Sequence, residues 1–451
     1  MPAIGSQIIR PDRQIWAIAG PAIIANSSTP LVGLVDTWVI GHMPNAVHLA
    51  AVGVGAAIFS LMFWAFGFLR MSTTGLVAQA HGRGDNDQVA RTIIRSGFLG
   101  LMLAGFLLVV QVFILKAGIA ALRPPETTIL LMSDYFNIRV WSAPAVLFVY
   151  SLNGYLIGTR QAKAALWLQL LLNVSNGALN LIFVLGLDMG VSGIALGSLI
   201  AEWLAAGFGL VLLLKGLGLA PLRTALHEKT TWQIDRMKKL LSTNGYIFAR
   251  TLILITALAL ITRQSGKLGE AALAATQILN IFFLLISLGL DGFAFAAEAL
   301  AGAAYGKNNR HEFRFWVKRT TVWAGAAAAL YTLVFLIFGQ NIVNVLTNIT
   351  AVRLVADEAL MIVAIMPVFA VWGYQFDGIF IGATAGRGML ITMVAAFTVY
   401  VLSLEVLTDT LGLKGLWIAV VVFMTMRGFA QLLYYPSIEK KLGSGIKTAT
   451  V

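Results

Sequence analysis

Apolar residues run along this chain in long stretches, separated by short clusters of charged and turn-forming residues. A hydrocarbon layer about 30 Å thick needs roughly 20 apolar residues per helix. Stretches of that order lie at 14–40, 47–79, 92–116, 131–158, 164–186, 191–215, 238–262, 271–305, 318–339, 355–384, 388–411 and 414–436. They predict an all-α integral membrane protein with twelve transmembrane helices. The second and eighth are longer than the layer, so tilting or projection into water is expected. Arg10 and Arg13 precede the first stretch as they would a signal peptide. That stretch is too long and lacks a clear cleavage site, so a first transmembrane helix is expected.

Composition narrows the class further. Hydrophobic residues make up 59% and charged residues 12% of the 451, with mean hydropathy +0.84; soluble chains carry about 45–50% and about 25%. Soluble multidomain architectures, disorder and nucleic-acid binding are thereby excluded. The chain contains 0 Cys, which removes disulfides, thiol chemistry and Cys-ligated metals. Its net charge of +12 is informative through placement. With the N-terminus inside, Lys116, Arg123, Arg263, Lys267, Arg353 and Lys414 fall outside, and most of the 32 Lys and Arg fall inside. A multi-pass protein of the cell (inner) membrane with both termini cytoplasmic is accordingly expected.

The chain also repeats itself. Residues 49–61 align with 273–285, and Ala80 and Gly82 with Ala304 and Gly306, at an offset of 224. Pro144, Asn153-Gly154, Gly158 and Lys163 correspond to Pro367, Asp377-Gly378, Gly382 and Arg387. Six helices per half keep both halves the same way up, which predicts two pseudo-symmetric six-helix bundles, parallel repeats around a central cleft. The lobes are expected at 1–225 and 226–451, with the basic segment 216–240 as a cytoplasmic linker.

Ionisable residues inside spans are costly in hydrocarbon and are candidates for function. Asp36 follows Pro21 and Pro30 in the first span. It is read either as a titrating carboxylate or as a structural one paired with a buried cation such as Arg70. Asn173, Asn176 and Asn180 form a polar stripe on the fifth span, and Ser198 and Glu202 share a face of the sixth. Such stripes serve as sites or as hydrogen-bonded packing between helices. In the second half, Asp291 and Glu298 share a face of the eighth span, and Tyr374 and Asp377 a face of the tenth. The first half has Gly67, Thr74 and Asn153 where these three acids stand. Arg70, Arg250 and Arg427 are expected to neutralise acids rather than bind anions. Most Trp and Tyr are expected at membrane interfaces or in the core.

Two protease-like strings carry little weight. "GVSG" (190–193) has no His within its span, since His42, His48, His81, His227 and His311 fall in loops or at span ends. "GRGD" (82–85) places Asp85 in a charged loop. No nucleotide-binding loop is present, so transport would draw on an ion gradient or a partner.

Pro21 with Asp36, "NGALN" (176–180), "LGLDGFAFAAEALAG" (288–302) and "FDGIFIGAT" (376–384), on twelve helices in two parallel repeats, resemble the multidrug and toxic compound extrusion (MATE) transporters, in particular their DinF branch. The resemblance covers nearly the whole chain. It implies an exporter of amphipathic or cationic small molecules driven by inward H+ or Na+. Asp36 would be the coupling carboxylate, Pro21 the gating bend, and Asn153, Asn176, Asn180 and Ser198 the surrounding polar network. Some relatives have Asp where Asn180 stands; fewer anionic oxygens favour H+ over Na+. Asp377 matches a coupling acid of other branches, and Asp291, Glu298, Tyr374 and Asp377 are expected to line the second-lobe cleft. Alternating access of a monomer in the bilayer, with no cofactor beyond H+ or Na+ and no nucleic-acid partner, is the expected mode. A lipid-linked precursor flippase is the alternative, and an intramembrane hydrolase a third reading.

Overall fold

The computed structural model describes residues 10–41 and 45–443. The placement of both chain ends, His42 and Lys447 lie outside them. Among the described residues there is no strand, and the spans follow the apolar stretches closely. The first is α1 (Pro11–Gly41); the second is built from α2 (Ala46–Ala65) and α3 (Phe68–Gly82). The third is α4 (Asn86–Leu122), and the fourth joins α5 (Glu126–Arg139) to α6 (Ala143–Gly158). The fifth is α7 (Ala162–Leu181), continued by a π-helical turn, and the sixth is α8 (Gly190–Leu217). A short α9 (Leu219–His227) leads to α10 (Ile234–Lys267), α11 (Glu270–Gly306), α12 (Arg310–Leu346) and α13 (Thr350–Gly382). The chain closes with α14 (Gly386–Glu439).

α14 has 54 residues, far more than a membrane needs. Gly412, with φ 59° and ψ −135°, breaks it, a conformation open to a residue without Cβ. The two last predicted spans lie on either side of that break. Counting α14 once gives 11 long apolar helices, and counting it twice gives the expected twelve.

Two interior breaks differ from the expectation of continuous second and fourth spans. The second is interrupted at Phe66 and Gly67, and the fourth by a 3-10 turn at Val140–Ser142. Hydropathy is blind to both, because the residues at each break are as apolar as their neighbours. At the membrane surface, Asp85 caps α4 by accepting the Gln88 amide hydrogen at 2.8 Å, which gives the "GRGD" string a structural role.

The segment 216–240 is more structured than a tether. α9 buries Leu222 and Ala225, a 3-10 turn covers Lys229–Trp232, and both pack on α4. Arg95 donates to the carbonyls of Thr231 at 2.8 Å and Thr230 at 3.1 Å, and Arg91 pairs with Glu228 at 2.7 Å.

The internal repeat reappears as geometry. A Cβ added to Gly154 would lie 2.8 Å from the Arg70 carbonyl oxygen, and one on Gly158 2.9 Å from that of Thr74. Gly378 is pressed in the same way against the Ala294 carbonyl, and a Cβ on Gly382 would lie 2.8 Å from that of Glu298. Arg70 and Thr74 are the offset counterparts of Ala294 and Glu298. Glycines four apart thus bring α6 onto α3 and α13 onto α11 at backbone contact, the packing that small residues permit in lipid.

By internal packing the described chain forms two units. One comprises Ile24–Leu240; the other comprises the residues through Ile23 together with those from Leu241 onward. The divisions fall after Ile23 and Leu240, whereas the sequence placed a single one near residue 225. α1 is therefore shared. In the second unit, Asp12 pairs with Arg319 at 3.2 Å and accepts the Trp323 indole hydrogen at 2.8 Å. Trp16 meets the rings of Phe293 and Trp323 edge-on at 5.4 and 5.3 Å, and Gly292 leaves room for Ile23.

Candidate functional site

The unit Ile24–Leu240 holds a polar cavity of about 450 Å³. Its walls come from the second half of α1 and from α2, α5, α7 and α8, and they carry Asp36, Arg139, Gln169, Asn173, Asn176 and Glu202. Each span contributes for a reason visible in its sequence. The 3.6-residue period puts Asn173, Asn176 and Asn180 on one side of α7 and Ser198 and Glu202 on one side of α8.

Hydrogen bonds connect these groups in order. Asn180 Nδ2 donates to Asp36 Oδ1 at 2.7 Å and to Asn176 Oδ1 at 3.3 Å. Asn176 Nδ2 donates to Ser198 Oγ at 2.9 Å. A second strand of the network runs from Gln169 Nε2 to Asn173 Oδ1 at 3.0 Å and from Asn173 Nδ2 to Ser28 Oγ at 2.7 Å. Asn180 is fully buried. It fits only because the facing residue on α8 is Gly197, whose hydrogen occupies the place where a Cβ would collide with Asn180 Oδ1. An ionised Asp36 is thus held by a neutral donor, and the cation that acts on it is Arg139, on the same cavity wall.

Asp36, Asn176, Asn180 and Ser198 therefore come together as the sequence led one to expect. Asn153, on α6, is outside the network and the cavity wall. Sequence reasoning left out Arg139, Tyr135 and Gln169. Arg139 donates to the Tyr135 hydroxyl at 2.8 Å and lies 5.4 Å over the Phe59 ring. Its signal in the sequence is a cation inside the fourth apolar stretch, 131–158. Pro21 lies inside α1, two residues before the division between the units, and the helix continues through it.

In the other unit the acids are arranged differently. Asp377 is bonded to Arg250, accepts from Arg427 Nη2 at 2.8 Å, and accepts from Gln431 Nε2 at 2.6 Å. The Tyr374 hydroxyl is hydrogen-bonded to that of Ser287, and Arg427 stands 5.8 Å over the Tyr374 ring. Asp291 acts electrostatically on Arg250 and Tyr374, which places it in the same cluster. Glu298 is 1% exposed on α11. Two guanidiniums bracket the one carboxylate of Asp377, so the triad carries no net negative charge. This unit also contains an apolar groove of about 510 Å³ between α1, α11 and α12, lined by Trp16, Phe293, Trp323, Leu330 and Tyr331 among others.

Long apolar helices with acids, amides and a guanidinium turned into an internal cavity define a multi-pass membrane protein of the transporter type. A family model described as MatE matches residues 21–207 and 247–407. The chain is 35% identical to DNA damage-inducible protein F of Escherichia coli (strain K12), over 93% of this chain and 91% of that one. It is 28% identical to the probable multidrug resistance protein NorM of Xanthomonas campestris pv. campestris, over 96% and 95%. An outward-facing multidrug resistance MATE family transporter shares the fold with a TM-score of 0.85 at 21% identity, over 96% of each chain. The chain belongs to the MatE family. That family consists of transporters rather than enzymes, which disposes of the intramembrane hydrolase reading.

Proposed function

We propose that this protein is an H+-coupled antiporter that exports amphipathic or cationic small molecules from the cytoplasm by alternating access, with Asp36 as the coupling carboxylate. The observation that carries the reading is the Asn180–Asp36 hydrogen bond at a cavity among the apolar spans. A carboxylate there is costly when charged and alone, so its protonation state and its partners are coupled. Protonation from outside cancels the charge, releases the Asn180 donor and lets α1 repack, expelling the substrate. Pro21 supplies a point in α1 without a backbone donor, where such repacking costs least. The protein works as a monomer in the inner membrane with both termini cytoplasmic, as the distribution of Lys and Arg supports.

The choice of H+ rests on what Asn180 presents to Asp36. An amide donor on the carboxylate competes with a metal cation, which requires oxygen ligands instead. A cavity of about 450 Å³ with mixed walls accommodates a drug-sized amphipathic molecule. Asp36, which accepts from Asn180, offers a cationic group of the substrate a local partner. The flippase reading loses support because Arg250 and Arg427, the buried bases that would meet a pyrophosphate, are both engaged by Asp377. Export of a cationic dye from proteoliposomes under an imposed pH gradient tests the proposal. Export should follow the gradient and change little when Na+ is replaced by K+; a requirement for Na+ at fixed pH would overturn it.

A further inference from the structure

Asp36 is one of two carboxylates in its cavity. Glu202, one helical turn beyond Ser198 on α8, lines the same space, and Arg139 on α5 lies with them. Both acids act electrostatically on Arg139, yet among the described residues neither makes a direct ion pair with it. The guanidinium is held elsewhere, by the Tyr135 hydroxyl and over the Phe59 ring, with Nε buried and free of any hydrogen bond. Tyr150, beside Glu202, is also reached by Arg70, and Tyr135 faces Asp36.

Charge counting constrains this set. Two ionised carboxylates and one guanidinium leave a net negative charge in a cavity surrounded by hydrocarbon, a costly state. One proton restores neutrality and two overshoot it, so the pair holds a single proton when like charges cannot both be balanced. The hydrogen bonds decide which acid carries it. Asp36 accepts the Asn180 amide hydrogen, a contact that favours its anion, whereas no hydrogen bond reaches Glu202 among the described residues.

We propose that Asp36 and Glu202 share one proton in the cavity they line with Arg139, and that Glu202 is the acid that holds it while Asn180 donates to Asp36. In transport terms this makes Glu202 a second proton site: loss of the Asn180 contact lets the proton pass to Asp36 and leaves Glu202 to face Arg139. No atom is gained or lost in that exchange, only the position of one proton. The role in transport rests on the antiporter reading above, but the protonation itself does not.

The test is infrared difference spectroscopy of the full chain in lipid at neutral pH, with glutamate or aspartate carboxyls carbon-13 labelled. Wild type minus Glu202→Gln should show loss of one protonated carboxyl, shifted by the glutamate label and unmoved by the aspartate label. Asp36→Asn should abolish the same band, because Glu202 then has Arg139 to itself and ionises. Arg139→Gln should add one protonated carboxyl. Glu202→Asp, which keeps an acid in place, should retain a band and serves with thermal melting as the control for folding. A difference spectrum showing loss of an ionised carboxylate in Glu202→Gln, or a band that follows the aspartate label, overturns the inference while leaving proton coupling by Asp36 intact. The expected spectra together with no gradient-driven export would instead sustain the shared proton and remove the antiporter reading.

Discussion

Asn180 and Asp36 are 144 residues apart in the chain, and the amide nitrogen of one donates to the carboxylate of the other at 2.7 Å. A hydrogen bond to a charged group contributes about 1.5–3 kcal/mol. Asn180→Ala should therefore lower gradient-driven dye export by roughly tenfold or more, and Asp36→Asn should abolish it while the protein still inserts and folds. Full export by Asp36→Asn in proteoliposomes would remove Asp36 from the coupling role.

Gly197→Ala offers a way to disturb that contact without touching either partner. The new methyl would collide with Asn180 Oδ1, so the amide that carries the Nδ2 donor to Asp36 must shift. Export should fall toward the level of Asn180→Ala. Gly207→Ala, on the same helix with open space around it, is the matched control and should leave export unchanged. Equal behaviour of the two variants would show that the approach of α7 to α8 is immaterial.

Asn180→Asp replaces the donor with anionic oxygens beside Asp36. Two carboxylates facing each other there form part of a hard-cation site. Dye export by this variant should acquire a dependence on Na+ that the wild type lacks, measured by exchanging Na+ for K+ at fixed pH. An unchanged ion profile would mean that Asn180 does not set the ion preference.

Asp377→Asn leaves Arg250 and Arg427 buried without their shared anion. Breaking a buried pair in this way costs about 3–5 kcal/mol, so thermal stability in detergent should drop markedly. Binding of cationic and neutral dyes should decline together. A selective loss of cationic dye at unaltered stability would restore the electrostatic role that the triad argues against.

Arg95→Ala removes both hydrogen bonds that hold the carbonyls of Thr230 and Thr231 to α4. Hydrogen exchange across residues 219–232 should quicken while exchange in the α4 span stays the same. No change in that segment would mean that the apolar contacts of Leu222 and Ala225 suffice to hold it.

The spans could be read from sequence because hydrocarbon imposes a length and a composition that little else in a protein shares. The Asn180–Asn176–Ser198 part of the network was legible for a related reason, since helical spacing alone gathers polar side chains on one face. Contacts between distant spans were less accessible. The sequence led one to expect Arg250 and Arg427 to neutralise acids, but not that both, 127 and 50 residues away from Asp377, converge on that one carboxylate. Arg139 was visible as a charge near a span end, but its place in the cavity depends on the turn at Val140–Ser142, where α5 gives way to α6. Asn153 shows the converse. Its repeat partner Asp377 is a hub of polar contacts, yet the inherited position on α6 carries none of them.

α1 answers to two sets of neighbours. Its first turns, as far as Ile23, are fastened by Asp12, Trp16 and Ile23 to α11 and α12, and the remainder carries Asp36 to Asn180. A rod gripped by two separate sets of neighbours is softest where its own hydrogen bonding is incomplete, and the Pro21 to Pro30 stretch lacks two backbone donors. The first helix is in this sense a tendon: its two grips are ordinary packing, and whatever strain reaches it gathers between the prolines, one and a half turns short of the carboxylate.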